Sequence, residues 1–546
     1  MTPDPFEMTP ERFDIAIVGS GPVGLALAWR LRGSGLRIAV VEAGGRKHLP
    51  ADEAQTLAAT RKTPPGHPEA HMYRRRMLGG ASTVWGGRCL HYDEIDFLPN
   101  GNRIGWPIAK GDVDPHIGPA LEFLEAGENL YDETAFDLQQ VWGEAEAGVD
   151  FDRIERFSPP TDVWSRYGAE LRAAGITVLH DTVVTGIALD AASGRATGLA
   201  LRAALTDAEA RLDAGRVILA GGGIETARLL LSSRALRPEG LGNARDLVGR
   251  HYMTHLIGDI GTLHYAPEVS DEKLDYRLTS DGVYARSVMR LSERTRAEAG
   301  LPSILWRPNI PPVWDPSHRN AILSAMHFAK RLAQREYAER LDKQGGGAGA
   351  GSRGGMLRHG RNILADPLTL AGFARTWIGK RILARRKLPS VFLRHPERRY
   401  PMEMNAEQYP DPASRIALSD RLDRHGMPLI TLDWRAGKGT IEGIAASLAI
   451  LRDRVMRSGI GRFDFDPEAI ADHLVPQGGH HIGTARMGAT PETGVVDRDG
   501  ALFDCPNVHV AGSAVFPTSG CVNPTLLAVA LAFRLGEHIL ELEKKA

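Results

Sequence analysis

At 546 residues, with 43% hydrophobic and 24% charged side chains, the chain is long enough for two to four domains and has an ordinary globular composition. A formal net charge of -1 argues against a general nucleic-acid binder, which needs a basic footprint. The three cysteines, Cys89, Cys505 and Cys521, form no CxxC, CxxCH or His/Cys metal spacing; this fits a reducing compartment and argues against a disulfide framework, a zinc site and attached c-type haem.

The opening MTPDPFEMTPERFDIAIVG has no apolar signal core and no twin arginine, and no run of 18 apolar residues occurs, so a cytoplasmic protein without a spanning helix is expected. Phe13 to Val18 (FDIAIV) reads as a buried strand, followed by Gly19-Ser20-Gly21-Pro22-Val23-Gly24 and a helical pattern through Leu31. A second strand, Arg37 to Val41, ends in Glu42, which lies 23 positions after Gly19. This is GxGxxG between strand and helix, with an acid near the expected spacing of roughly 20. Gly19 permits the tight turn, Gly21 lets backbone approach a pyrophosphate, and Gly24 lets helix and strand pack. The helix N-terminus offers free N–H groups to phosphates, and Glu42 accepts from ribose hydroxyls while repelling a 2′-phosphate. The motif alone does not separate FAD from NAD.

Further along, Met77 to Cys89 (MLGGASTVWGGRC) is a small-residue loop whose glycines let backbone lie flat on a ligand. Gly345 to Gly355 reads as a flexible linker, and Met356 to His395 carries nine Lys/Arg and one acid, Asp366. There Leu370, Phe373, Trp377 and Ile378 line one helical face, with Arg375, Lys380, Arg385 and Arg386 around it. Such a stretch suits an anionic membrane surface or an electron-acceptor protein; a solvated lid or oligomer contact is the alternative. Tyr400 to Arg435 reads as successive strands of an antiparallel sheet, and Gly439 to Arg457 as an amphipathic helix. Val508 to Val510 leads into Ala511-Gly512-Ser513, and Asn523-Pro524-Thr525 opens a long apolar helix.

Four stretches in this order resemble the glucose-methanol-choline (GMC) oxidoreductases: GSGPVG with Glu42; GGASTVWGG; GGGIETARLLLSS (Gly221 to Ser233); and HHIGTARMG with NVHVAGS and NPTLLAVALA. STVW and the Asn-Pro-Thr ending are closer to the pyranose-oxidase branch. The resemblance implies an α/β fold: a Rossmann-like FAD domain of residues 1–95, 155–250 and 490–546, and a substrate domain of 96–154 and 251–489 on an antiparallel sheet with helices, its flexible basic insertion at about 345–397. It implies FAD contacts from Gly79, Gly80, Ser82, Thr83, Val84, Trp85, Val184 (meeting the adenine through its backbone), Gly222, Gly512, Ser513, Pro524 and Thr525. Val84 stands where pyranose oxidases have a histidine bonded covalently to the flavin, so FAD is expected to be dissociable. Ala511 replaces the aspartate of many choline-type members.

The family signature His-x-x-Gly-Thr places a catalytic base at His480, with Asn523 as its partner; an imidazole suits removal of an alcohol proton near neutrality. His481 is the competitor, but neighbours on extended backbone face opposite sides. His255 and His91 each have a functional and a structural reading. The expected activity is FAD-dependent oxidation of a secondary alcohol of a sugar, glycoside or polyol by hydride transfer to flavin N5. The alternatives are a non-sugar alcohol, a monooxygenase or NAD(P)H reductase, and a non-catalytic FAD-fold binding protein. The electron acceptor (oxygen, quinone or protein) is left open.

Overall fold

The computed structural model describes residues 12–64, 66–131, 149–206, 208–269, 274–333, 353–395 and 397–545. Apolar runs near both chain ends join four strands from residues 177–219 in one eight-stranded sheet. Its main path runs Ala501–Leu502, Cys505–Val510, Glu209–Leu219, Phe13–Val18, Ile38–Val41 and Thr177–Leu179. Ile15, Ala16, Ile17, Val40, Val217 and Ile218 are fully buried, as strands covered on both faces require. Parallel pairing puts Val18 beside both Val41 and Leu219, and Leu219 beside Val510. The carboxyl ends of four strands therefore meet at one level, where open α/β sheets bind ligands. Helices Pro22–Leu31 and Thr525–Lys545 cover one face, with Trp29 edge-on to Phe533 at 6.0 Å between ring centroids.

A nine-stranded sheet stands beside it, with Leu256–Tyr265 paired to Arg399–Ala406, and that strand to Ile304–Pro308, all antiparallel. Arg88–Cys89, assigned by sequence to the first domain, joins this second sheet by pairing with Val149–Phe157. The strands expected between Tyr400 and Arg435 do not form one sheet. Arg399–Ala406 enters the nine-stranded sheet, while Arg415–Leu422 and Pro428–Asp433 pair together and take Ala59–Thr63 in parallel. The expected amphipathic helix is Lys438–Arg457. Residues 345–352 of the expected linker lie outside the described residues, and the rest of it opens the helix Arg353–Ala365. No helix among the described residues is long and apolar enough to cross a membrane.

A buried charge cluster joins the segment after the glycine-rich loop to the second sheet. Arg103 donates through Nε to Glu407 Oε1 at 2.8 Å and through Nη1 to the Ile95 carbonyl at 3.0 Å. Arg296 pairs with Asp93 and with Asp96, the latter at 3.1 Å, while Arg290 holds Asp93 at 2.8 Å. Asp96's carbonyl in turn accepts from Thr518 Oγ1 at 3.2 Å, so the cluster buttresses the loop leading to Asn523.

Burial pushes His67, His91 and His255 down to about 4 and His509 to about 3. Unfolded imidazoles titrate near 6.5, so below that pH the unfolded chain binds more protons than the folded one. Stability is thus expected to fall as pH drops from about 6.5 towards 4, each histidine contributing about 1.4 kcal/mol for every tenfold loss of proton affinity on folding. Urea midpoints measured at pH 7.5, 5.5 and 4.5 check this; a midpoint constant across that range contradicts it.

Candidate active site

Three helix N-termini converge on the carboxyl ends of the parallel strands. Helix Pro22–Leu31 starts after Gly21, Gly222–Ser232 after Gly221, and Thr525–Lys545 after Pro524, and all three starts line one cleft. Each start leaves backbone N–H groups without helical acceptors and adds a positive dipole end, which suits an anionic dinucleotide. Gly19 has φ +105°, and a Cβ there would stand 2.7 Å from the Ala220 carbonyl oxygen. A Cβ on Gly24 would stand 2.0 Å from the Gly19 carbonyl oxygen, so Gly24 serves packing and does not line the cleft. A Cβ on Gly21 meets nothing within 4 Å, leaving its backbone open to the cleft.

Glu42 lines the cleft, but its carboxylate is partly engaged: Oε2 accepts from Ser20 N at 2.9 Å and Oγ at 2.7 Å, and Oε1 from Gly44 N at 3.1 Å. Burial raises its pKa, against the pull of these hydrogen bonds. Gly80, Val184, Gly222, Gly512, Ser513, Pro524 and Thr525 also line the wall. Ala81 of the small-residue loop lines it too, whereas Gly79, Ser82, Thr83, Val84 and Trp85 lie off that lining. Gly79 turns at φ +88°, Ser82 Oγ donates to the Gly79 carbonyl at 2.6 Å, Thr83 Oγ1 to the Gly80 carbonyl at 2.9 Å, and Trp85 Nε1 to the Thr161 carbonyl at 3.0 Å. Val84 is 40% exposed.

Sequence reasoning passed over the run Tyr73-Arg74-Arg75-Arg76, which lines the cleft. Arg74 holds Glu225 at 2.5 Å, and Arg76 and Arg228 approach it at 3.4 Å each. Despite its burial, those three guanidinium groups hold the Glu225 carboxyl down at about 2. Three adjacent arginines directly before a glycine-rich loop were the available signal.

Just beyond the cleft, three residues distant in sequence meet. Gly479 and His481 on one side and Pro524 on the other line the cleft, and between them His480 Nε2 lies 3.2 Å from Asn523 Nδ2. His480 Nδ1 faces His255 Nδ1 at 2.7 Å, and His255 Nε2 lies 2.9 Å from the Ser519 carbonyl oxygen. A carbonyl only accepts, so His255 Nε2 carries hydrogen. Burial keeps His255 neutral above about pH 4, so its Nδ1 is a lone pair. His480 must then donate from Nδ1, which leaves its Nε2 lone pair aimed at Asn523. His480 itself is held well below the ordinary imidazole range by burial and by His255, His481 and Arg88. His481 turns the other way: its Nδ1 meets Tyr252 Oη at 2.9 Å, and its buried Nε2 has no partner among the described residues. His91 packs edge-on against Tyr131 at 4.2 Å and does not line the cleft.

The open backbone at Gly21, the three helix starts and the orphaned Nε2 of His481 on the cleft wall all fit a bound FAD. A Rossmann-like sheet with an inserted antiparallel domain and this cleft define an FAD-dependent oxidoreductase. Residues 410–532 match the GMC oxidoreductase family model, and residues 17–47 that of an NAD(P)-binding Rossmann-like domain. Over that C-terminal stretch the chain is similar to the GMC oxidoreductases, enzymes acting on CH–OH groups. It is 22% identical to 2-methyl-1,2-propanediol dehydrogenase of Mycolicibacterium austroafricanum over 97% of this chain and 95% of that protein. It is 32% identical to C-glycoside 3-oxidase of Microbacterium trichothecenolyticum over 24% of this chain and 25% of that protein. Pyridoxine 4-oxidase from Mesorbium loti shares the fold with a TM-score of 0.53 and 17% identity, over 96% of this chain and 99% of that one.

Proposed function

We propose that this enzyme oxidises a secondary alcohol of a sugar, glycoside or polyol, with His480 as the base. The carrying observation is the chain Asn523–His480–His255–Ser519, which presents one imidazole lone pair beside the cofactor cleft. Bound FAD supplies the hydride acceptor. Nε2 of His480 takes the hydroxyl proton, and Asn523 Nδ2 orients the hydroxyl oxygen by donating to it. His255 accepts the hydrogen on His480 Nδ1, so one tautomer prevails and the ring keeps its direction as it becomes cationic. Because the base is held low, it stays unprotonated through the neutral range. The C-glycoside 3-oxidase likeness supports the sugar class; the 2-methyl-1,2-propanediol dehydrogenase likeness supports a non-sugar alcohol by the same residues. Val84 has no group able to bond a flavin, which supports a dissociable cofactor.

Anaerobic titration of the holoenzyme with sugars, glycosides and simple diols tests this. Flavin bleaching by a sugar, without NAD(P)H, is the expected result, and acid precipitation should release the flavin intact. Bleaching only by NAD(P)H refutes the proposal. For His255→Leu, the expected loss of flavin-reduction rate is about 10–100-fold, with the pH dependence altered because the tautomer is no longer fixed. His255→Gln, whose Oε1 can accept from Nδ1, should recover part of it. A His255→Leu enzyme with an unchanged rate and pH profile would remove His255 from the site's workings.

A further inference from the structure

The helices Arg353–Ala365 and Pro367–Trp377 each have one face docked on the protein and one bare. On the first, buried His359 approaches Ser324 Oγ at 3.0 Å through Nδ1, and Asn362 Nδ2 donates to the same oxygen at 3.1 Å. Leu357 and Leu364, two turns apart on the other side, are 74% and 81% exposed. On the second, Phe373 and Trp377 stack at 6.0 Å, and Trp377 packs with Val391 against Phe157, Tyr276, Tyr284 and Leu388. Leu368 is 85% exposed, and Phe373 and Trp377 lie about 140° and 180° round the helix from it, at 100° per residue. The helix is therefore turned over relative to the sequence expectation: its aromatic stripe faces the protein. Arg386 fastens the following segment, donating to the Glu125 carbonyl at 3.0 Å. Beyond the second helix, Ile382 and Leu383 are again 59% and 75% exposed.

The bare face is basic as well as apolar. Arg358, Arg361, Arg375, Lys380, Arg385 and Lys387 are all exposed, and Asp366, the segment's one acid, caps the second helix by accepting from Thr369 N at 3.2 Å. Exposed leucines flanked by long cations match an acyl-chain and anionic-headgroup boundary, where cations extend to phosphate while apolar tips enter the interface. An acidic protein would satisfy the charges but would need its own apolar patch opposite five separated aliphatic tips.

We propose that this face seats the enzyme peripherally on an anionic phospholipid bilayer. Flotation of the full-length holoenzyme with phosphatidylcholine vesicles containing phosphatidylglycerol tests it, against vesicles of phosphatidylcholine alone. Flotation is expected on the first and not the second, weakening as salt rises. Lys380→Ala with Arg385→Ala should lower the partition coefficient about fivefold per cation, and Leu364→Glu with Leu368→Glu should abolish binding. Circular dichroism and bound flavin should be unchanged, since all four side chains are exposed. Absence of flotation on anionic vesicles overturns the proposal and leaves a protein partner or bare solvent at the face. Flotation undiminished in the Leu364→Glu, Leu368→Glu enzyme overturns it too.

Discussion

Replacing His480 by alanine is expected to leave FAD bound and to slow flavin reduction at least about a hundredfold, the lower end of what general-base catalysis contributes. The residues that line the cleft on either side of it, Gly479 and His481, keep their backbone, and none of the three helix starts is touched. Binding should therefore survive while the proton acceptor is lost. Asn523 cannot substitute, because an amide nitrogen donates and its oxygen is a very weak base. Stopped-flow absorbance of the oxidised flavin after anaerobic mixing with substrate reads the step directly. Bleaching at the unaltered rate would take His480 out of the chemistry. Loss of flavin from the purified variant would instead assign it to cofactor binding.

Arg296→Met is expected to lower folding stability by about 3–5 kcal/mol, the usual effect of removing one partner from a buried ion cluster. Arg296 is almost wholly buried, and its loss leaves Asp93 with Arg290 at 2.8 Å and Arg153 at 4.0 Å, while Asp96 keeps the Ser303 hydroxyl, the Asp93 N–H at 2.9 Å and, as a cation, the more distant Arg103 at 3.8 Å. Because Asp96 also anchors Thr518, flavin reduction should slow as the loop bearing Asn523 loosens. A second change, Asp96→Leu, should return part of the stability, since a buried carboxylate that has lost its nearer cation is the main source of the cost. Urea unfolding of the two variants beside the parent measures both effects. An Arg296→Met protein within about 1 kcal/mol of the parent would show the cluster to be dispensable.

Features legible in the sequence were those whose cause is local. The turn at Gly19 to Gly24 and the helix opening at Pro524 are each set by residues adjacent in the chain, and their glycines and prolines mark backbone geometry directly. His480 was legible only through its spacing to Gly483 and Thr484, a family signature and not a physical necessity. Its support by His255 was not, because the two rings meet across 225 positions and nothing near either predicts the other. The same distance hid the sheet formed by Ala59–Thr63 with Pro428–Asp433, whose strands lie some 370 positions apart. In Pro367–Trp377 apolar residues occur on both sides of the helix, so periodicity identified a helix without saying which side the protein covers.

Strand Cys505–Val510 closes the parallel sheet against Glu209–Leu219, and the helix Thr525–Lys545 supplies the third N-terminus at the cleft. A ribosome that has translated everything before Cys505 has therefore made a dinucleotide turn with one wall missing. The nascent chain cannot hold its flavin firmly until that strand and helix have emerged, which makes cofactor capture a late event of maturation and leaves any product truncated before them colourless.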